Sequence, residues 1–198
     1  GTTTKFYSIA TGTWRSNTTW SYTSGGSAVP AGAVAGVNYP GVNSIVIIEN
    51  NNTVSFGTPA NYLTNINTEV NNCASLQIRT GSTLDIRYNP SSNFGMVLSL
   101  PSGNGTFRFT TSQTSNSTFT FPSGDFSEFN QNLGTTELYS IEPASNTTYW
   151  LPNGTTTYGN LIISPLGGSN IIFPNNNLRI FGDLITRGQN SESWFCPN

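Results

Sequence analysis

The stretch Ser44-Ile45-Val46-Ile47-Ile48-Glu49-Asn50-Asn51-Asn52-Thr53-Val54-Ser55-Phe56 joins two short apolar runs through a polar turn. β-Branched residues in both runs favour extended backbone, and consecutive Asn residues, which tolerate left-handed backbone, mark a tight corner between them. The grammar repeats. Leu76-Gln77-Ile78-Arg79 turns at Gly81 into Leu84-Asp85-Ile86-Arg87-Tyr88, and Met96-Val97-Leu98-Ser99-Leu100 turns between Pro101 and Gly105 into Thr106-Phe107-Arg108-Phe109. It returns late, as Leu161-Ile162-Ile163 with Ile171-Ile172-Phe173 and as Leu178-Arg179-Ile180-Phe181 with Leu184-Ile185-Thr186. Runs this short cannot bury a face alone, so the pattern predicts arches that stack and cover one another. The expected fold is all-β: a right-handed parallel β-helix or related β-solenoid with an N-terminal cap.

No helical stripe persists for three turns. Residues 62–71 carry Leu63, Ile66 and Val70 at helical spacing, but Thr and Asn interrupt them, and the stretch reads as a loop or one short helical turn. The chain reads as a single domain over 1–198. Residues 1–43 form the cap, since Trp14, Trp20, Tyr22 and Tyr39 lie there without an alternating period and an exposed first coil must be covered. Residues 44–198 form the coils. An irregular excursion is expected near 112–149, where Phe119, Phe121, Phe126 and Phe129 crowd around Gly124-Asp125.

Composition narrows the function classes. Charged residues make up 8% of the chain, against about a quarter in ordinary soluble domains. The 12 Phe, 8 Tyr and 4 Trp supply enough apolar surface to offset chain entropy, so the chain folds despite its polarity. Lys5 is the only lysine and the net charge is -2, which excludes the electrostatic footprint of a nucleic-acid binder. No apolar run is long enough to span a bilayer. The chain opens on Gly1-Thr2-Thr3-Thr4 without a basic and apolar leader, expected to be absent or already removed. Abundant Thr, Asn and Ser suit an extracellular surface. Cys73 and Cys196 leave one long-range disulfide open in an oxidising compartment, but the favoured reading is two unpaired thiols, with Cys73 packing like Ala or Val before a strand.

The chain contains no His, which removes Ser-His-Asp and Cys-His arrangements and the commonest zinc ligand. Carboxylates remain, and among Glu49, Glu69, Asp85, Asp125, Glu128, Glu137, Glu142, Asp183 and Glu192 only Asp125 and Glu128 lie close in sequence. Asp85 and Asp183, each beside a strand, are the pair that a β-helical glycosidase would have to bring together. Single acids at corners are more often solvated or bonded to turn amides. A polysaccharide lyase would also want a basic group. Arg79, Arg87 and Arg108 alternate with Ile78, Ile86 and Phe107, which reads as outward-facing, solvated arginine. Asp125 and Glu128 lack the ligand density of a dedicated calcium loop. No catalytic residue, metal or cofactor is therefore expected. Trp14 and Trp20 read as packing residues of the cap, whereas Tyr149 and Trp150 are the candidates for stacking on a glycan, one of the two facing outward. Threonine pairs such as Thr118 and Thr120, or Thr155 and Thr157, suggest an ice-binding ladder only if the coils keep a strict period; their varying lengths argue that no such ladder lines up.

Several motifs match a known group. Phe6-Tyr7-Ser8-Ile9-Ala10-Thr11-Gly12-Thr13-Trp14, followed by Asn17-Thr18-Thr19-Trp20-Ser21, resembles the mature start of large surface proteins exported by the type IX secretion system of Bacteroidota. Tyr39-Pro40-Gly41-Val42-Asn43, leading into Ile45-Val46-Ile47-Ile48 and Asn52-Thr53-Val54, is similar to that group's "P-G-x-x-D-x-V-x-I-x-x-x-H-T-V" pattern, with Ser44 and Asn52 in place of the usual acid and His. Gly105-Thr106-Phe107-Arg108-Phe109, Phe121-Pro122-Ser123-Gly124-Asp125-Phe126 and Tyr158-Gly159-Asn160-Leu161-Ile162-Ile163 fit the same resemblance, which thus covers nearly the whole chain. It implies the N-terminal β-solenoid region of SprB-like gliding and adhesion proteins, itself part of a much larger chain. The implied role is a structural, non-enzymatic module of a secreted, cell-surface adhesin for attachment or gliding motility. Implied partners are secretion translocon components during export and surface polysaccharide, with no nucleic acid and no membrane span. The alternative is a carbohydrate-binding module or a polysaccharide-degrading enzyme of β-helix type, which would show a coplanar aromatic row or a cleft with two facing carboxylates.

Overall fold

The computed structural model describes residues 3–57, 69–111, 116–140, 147–165, 168–188 and 193–196. The described chain is strand-rich, with one short α-helix. The strands are β1 (Lys5–Ser8), β2 (Gly12–Thr13), β3 (Trp20–Ser21), β4 (Ile45–Ile48), β5 (Thr53–Ser55), β6 (Ser75–Ile78), β7 (Thr83–Asp85), β8 (Asn93–Leu98), β9 (Thr106–Thr110), β10 (Ser117–Thr118) and β11 (Ser123–Asp125). Helix α1 (Ser127–Gln131) follows, then β12 (Thr135–Tyr139), β13 (Thr148–Trp150), β14 (Thr157–Tyr158), β15 (Asn160–Ser164), β16 (Asn170–Ile172), β17 (Arg179–Ile180), β18 (Leu184–Thr186) and β19 (Ser193–Phe195). The fold is all-β, as the sequence predicts.

Strand neighbours are not consecutive in sequence. The seven-stranded sheet runs β2-β5-β7-β9-β12-β15-β18 and the six-stranded sheet β3-β1-β4-β6-β8-β11, beside a four-stranded sheet β10-β13-β16-β19 and a pair β14-β17. Among the described strands, pairings are parallel except β1 with β3. Each passage of the chain therefore lays a strand beside its counterpart from the passage before.

Corner chemistry follows the sequence. Asn50 and Asn51 both take left-handed φ, 61° and 58°, in a turn closed by Asn52 N–H donating to Glu49 O; this is the conformation that Asn supports better than other non-glycine residues. Corners of successive passages are tied by Asn side chains: Asn104 Nδ2 donates to Asn132 O and Asn160 Nδ2 to Leu133 O, each at 2.8 Å.

Inward positions align into rows. Phe6, Val46, Leu76 and Val97 are cross-strand neighbours on the six-stranded sheet, as are Val54, Leu84, Phe107, Thr136 and Leu161 on the seven-stranded one. All are buried. Between the sheets runs an aromatic seam, Trp14 to Phe56 at 5.3 Å, Phe56 to Phe94 at 6.1 Å, Phe94 to Phe107 at 5.5 Å and Phe107 to Phe126 at 5.0 Å between centroids. Such pairs add roughly 0.5–1.5 kcal/mol each beyond area burial.

Trp14 and Trp20 lie over one end of this core with no exposed surface, their rings 5.5 Å apart. Their indole N–H groups donate to Pro40 O and Trp14 O, so the polar edge of each buried ring is satisfied. The stretch 112–149 combines order and irregularity in its described residues. β11 is bulged against β8 and α1 fills a corner, yet β12 runs in unbroken register with β9 from Thr135 to Tyr139. Phe119, Phe126 and Phe129 point inward and are buried. Residues 62–68 of the expected loop lie outside the described residues, as do Glu142 and Glu192.

Candidate functional site

Period-two alternation puts every second residue of the seven-stranded sheet on its outer face, and register turns these residues into columns. One column reads Thr53, Thr83, Thr106, Thr135 and Asn160; the next reads Ser55, Asp85, Arg108, Glu137, Ile162 and Ile185. The threonines do line up, contrary to the expectation from coil length. Offsets vary between passages but corner residues absorb the difference, so each Thr begins its strand. The pairs named from sequence are not the aligned ones, and the adjoining charged column gives this face no uniform threonine surface.

The charged column holds the strongest cluster of titratable groups. Arg108 Nε lies 3.8 Å from Asp85 Oδ2 and 3.4 Å from Glu137 Oε2, and its Cζ sits 4.1 Å from the centroid of the Tyr139 ring. The Tyr139 hydroxyl donates to Asp85 Oδ1 at 2.8 Å, the Arg87 backbone N–H donates to the same oxygen at 3.0 Å, and Ser164 Oγ donates to Glu137 Oε1 at 2.9 Å. Burial pushes the Asp85 carboxyl above its usual range, opposed by Arg108, the Tyr139 hydroxyl and Arg87. Two carboxylates two strands apart meet the spacing that acid-base hydrolysis needs. Here the space between them is filled by a guanidinium, and all four carboxylate oxygens are engaged. The arrangement locks three passages of the sheet together; it does not present a free acid and base to a substrate.

The other sequence candidates separate. Asp85 and Asp183 lie four strands apart across β9, β12 and β15, on the order of 19 Å from strand spacing alone. Asp183 is exposed at a corner, its N–H donating to Asn160 Oδ1. Asp125 accepts from Ser127 N–H, and hydrogen bonds from Ser127 hold its carboxyl below the usual range. Glu128 instead accepts from the N–H and hydroxyl of Ser99, so these two acids serve different partners. The arginines are not the solvated set that alternation suggested. Arg87 is buried, Arg108 sits in the cluster above, and Arg79 pairs with the buried Glu49, which also accepts from Ser24 Oγ. The partners of Arg79 and Arg108 come from other passages of the chain, which local alternation does not reveal. Cys73 is buried, Cys196 is exposed and both are free; burial pushes the Cys73 thiol far up, as for an inert core residue.

Tyr149 and Trp150 take opposite faces of β13. Tyr149 is buried against Phe119 at 6.0 Å, leaving Trp150 half-buried on the outer side. Trp150 belongs to an outward row of Thr118, Trp150, Ile172 and Phe195, one residue per strand across the four-stranded sheet. Comparison with protein-family models, with curated proteins and with solved structures gives no match. The functional reading therefore rests on this geometry.

Glu137 and Tyr139 are the residues that sequence reasoning missed. A signal was present: Thr83-Leu84-Asp85, Thr106-Phe107-Arg108 and Thr135-Thr136-Glu137 share the form Thr-x-charged after a corner, and superposing those starts places the three charges in one column.

Proposed function

We propose that the chain is a right-handed parallel β-helix, closed at its N-terminal end by the Trp-rich segment, that acts as a structural, non-enzymatic module of a secreted cell-surface adhesin. Its ligand is a surface polysaccharide, and during export it meets translocon components of the type IX route. Support for the β-helix is the passage-by-passage parallel pairing; support for its hand is the general right-handedness of parallel crossovers. Among the described residues no helix is long and apolar enough to cross a membrane. The observation that carries the adhesive reading is the uncharged outward row Thr118, Trp150, Ile172 and Phe195, a ribbon about 14 Å long from strand spacing. An apolar and aromatic strip of this kind suits the ring faces of an extended glycan. The locked Asp85-Arg108-Glu137 cluster favours a scaffold over a hydrolase. The test is a glycan array probed with the chain and with Trp150→Ala. Saturable binding weakened in the variant supports the reading, and a flat array with folded protein sinks it.

A further inference from the structure

A second feature lies beside this strip, where the corner at residues 119–122 stacks on the corner at 151–156. Between them opens a groove of about 600 Å³, a volume typical of small-ligand sites. Phe121 and Phe126 form apolar walls, while Thr118, Thr155 and Thr157 put hydroxyl-bearing side chains around them. Among the described residues, no Asp, Glu, Lys or Arg lines it. Asn130 lines it and is about nineteen-twentieths buried, with 5% of its surface exposed. Its Nδ2 donates to the backbone oxygen of Thr157, itself a lining residue, at 3.0 Å. That bond fixes the amide, and Asn130 Oδ1 is left buried without a partner.

We propose that this groove binds an uncharged oligosaccharide, whose ring faces pack on Phe121 and whose hydroxyls pair with the lining threonines Thr118, Thr155 and Thr157. The inference rests on the adhesive reading for its biological role. A sugar has the required mixture: C–H faces that pack on phenyl rings, and many hydroxyls that both donate and accept among threonines and a carboxamide. The described lining residues offer uronate or sulfate no basic group to pair with, and exposed Asp125, between the lining residues Gly124 and Phe126, repels anions. Thr118 belongs to both features, as a lining residue of the groove and as the cross-strand neighbour of Trp150 on the outward row. A glycan chain can thus run from the strip into the groove.

Gly154 offers a clean way to test this. It lines the groove, and a Cβ built there meets nothing within 4 Å, so Gly154→Trp fills the space without a backbone clash. The full chain is titrated calorimetrically with neutral tri- and tetrasaccharides from glucan, mannan and xylan, and with uronate and sulfated oligosaccharides. Expected are saturable binding of a neutral probe and a loss of at least about tenfold in affinity for Gly154→Trp at unchanged unfolding midpoint. Neutral-glycan binding that survives Gly154→Trp but is lost in Trp150→Ala overturns the groove and leaves the adhesive strip standing. Preference for the acidic probes also overturns it. Failure of every probe on the folded wild-type chain overturns both readings.

Discussion

The two ends of the core are built from the same kind of short strand and meet opposite fates. Phe6, Trp14 and Trp20 have no exposed surface, whereas at the other end Leu184 and Trp194, in the inward rows of Leu161 and Ile171, keep 47% and 36% of theirs. The difference is not in the runs. β1 has β3 on one side and β4 on the other, and Trp14 and Trp20 are covered by each other, Phe6 and Phe56, while β18 and β19 are the last strands of their sheets. Burial of an apolar run is therefore conferred by neighbouring passages. The largest expected effect tests this directly. Trp14→Ala should cost about 3–5 kcal/mol, the range for deleting a fully packed aromatic, and Trp194→Ala should cost only a small fraction of that. Urea unfolding of both variants measures the contrast, and comparable losses would show that the exposed end is covered in solution.

The same contrast explains what was legible in the sequence. The runs at Ile45–Ile48, Thr53–Ser55, Ser75–Ile78 and Thr106–Thr110 emerge as strands because local β-propensity, corner chemistry and inward packing agree there. The crowd of Phe residues between 119 and 129 read as an excursion because nothing local distinguishes an aromatic that fills the space between sheets from one that leaves them. Phe126 packs on Phe107, and Phe119 on Phe109 and Tyr149, which come from earlier or later passages, while Phe129 packs on Phe126. Candidate sites suffered more. Asp85 looked like a lone corner acid and Arg108 like a solvated base; their pairing depends on registers between passages of unequal length, Thr83 beside Thr106 and Thr106 beside Thr135. That one of Tyr149 and Trp150 faces out is legible, because alternation puts adjacent residues on opposite faces; that it is Trp150 depends on the pairing of Tyr149 with buried Ile171.

Corner glycines sharpen the comparison next. A Cβ on Gly105 would lie 2.2 Å from Ser82 O and 2.4 Å from Arg79 O, backbone atoms of the preceding passage. Gly105→Ala should therefore cost about 1–3 kcal/mol through forced separation of two passages. Gly154→Ala meets open space and lacks a left-handed φ; it should be neutral or stabilise by about 0.4–1 kcal/mol by restricting the unfolded chain. Thermal unfolding of the two variants orders them, and equal effects would mean that the corners do not stack as tightly as the Gly105 contacts imply.

Along the outer column, the middle is charged and the open end is apolar. Asp85 has its carboxyl raised by burial, so its contribution to stability is full below the ordinary carboxylate range and is lost as pH rises through the raised value. Asp85→Asn keeps a neutral side chain at every pH. Relative to wild type, the variant should gain stability on going from about pH 4 to about pH 8, the sign opposite to that for a salt-bridged acid with a lowered pKa. Urea midpoints across that range give the difference, and a variant that loses ground as pH rises would mean that Arg108, not burial, dominates the site.

At the apolar end of the column, Ile185 is the cross-strand neighbour of Ile162, but Ile162 is 7% exposed and Ile185 38%. One further strand beside β18 would bring Ile185 to the state of Ile162, so the exposure of this side chain reports whether anything is docked there. With the edge open, Ile185→Ser should change stability by less than about 0.5 kcal/mol, the usual range for a surface position. The informative variable is protein concentration. If the cost of Ile185→Ser grows as the chain is concentrated, a second copy is covering β18, because association adds stability only by mass action. A small cost independent of concentration shows that no second copy covers β18.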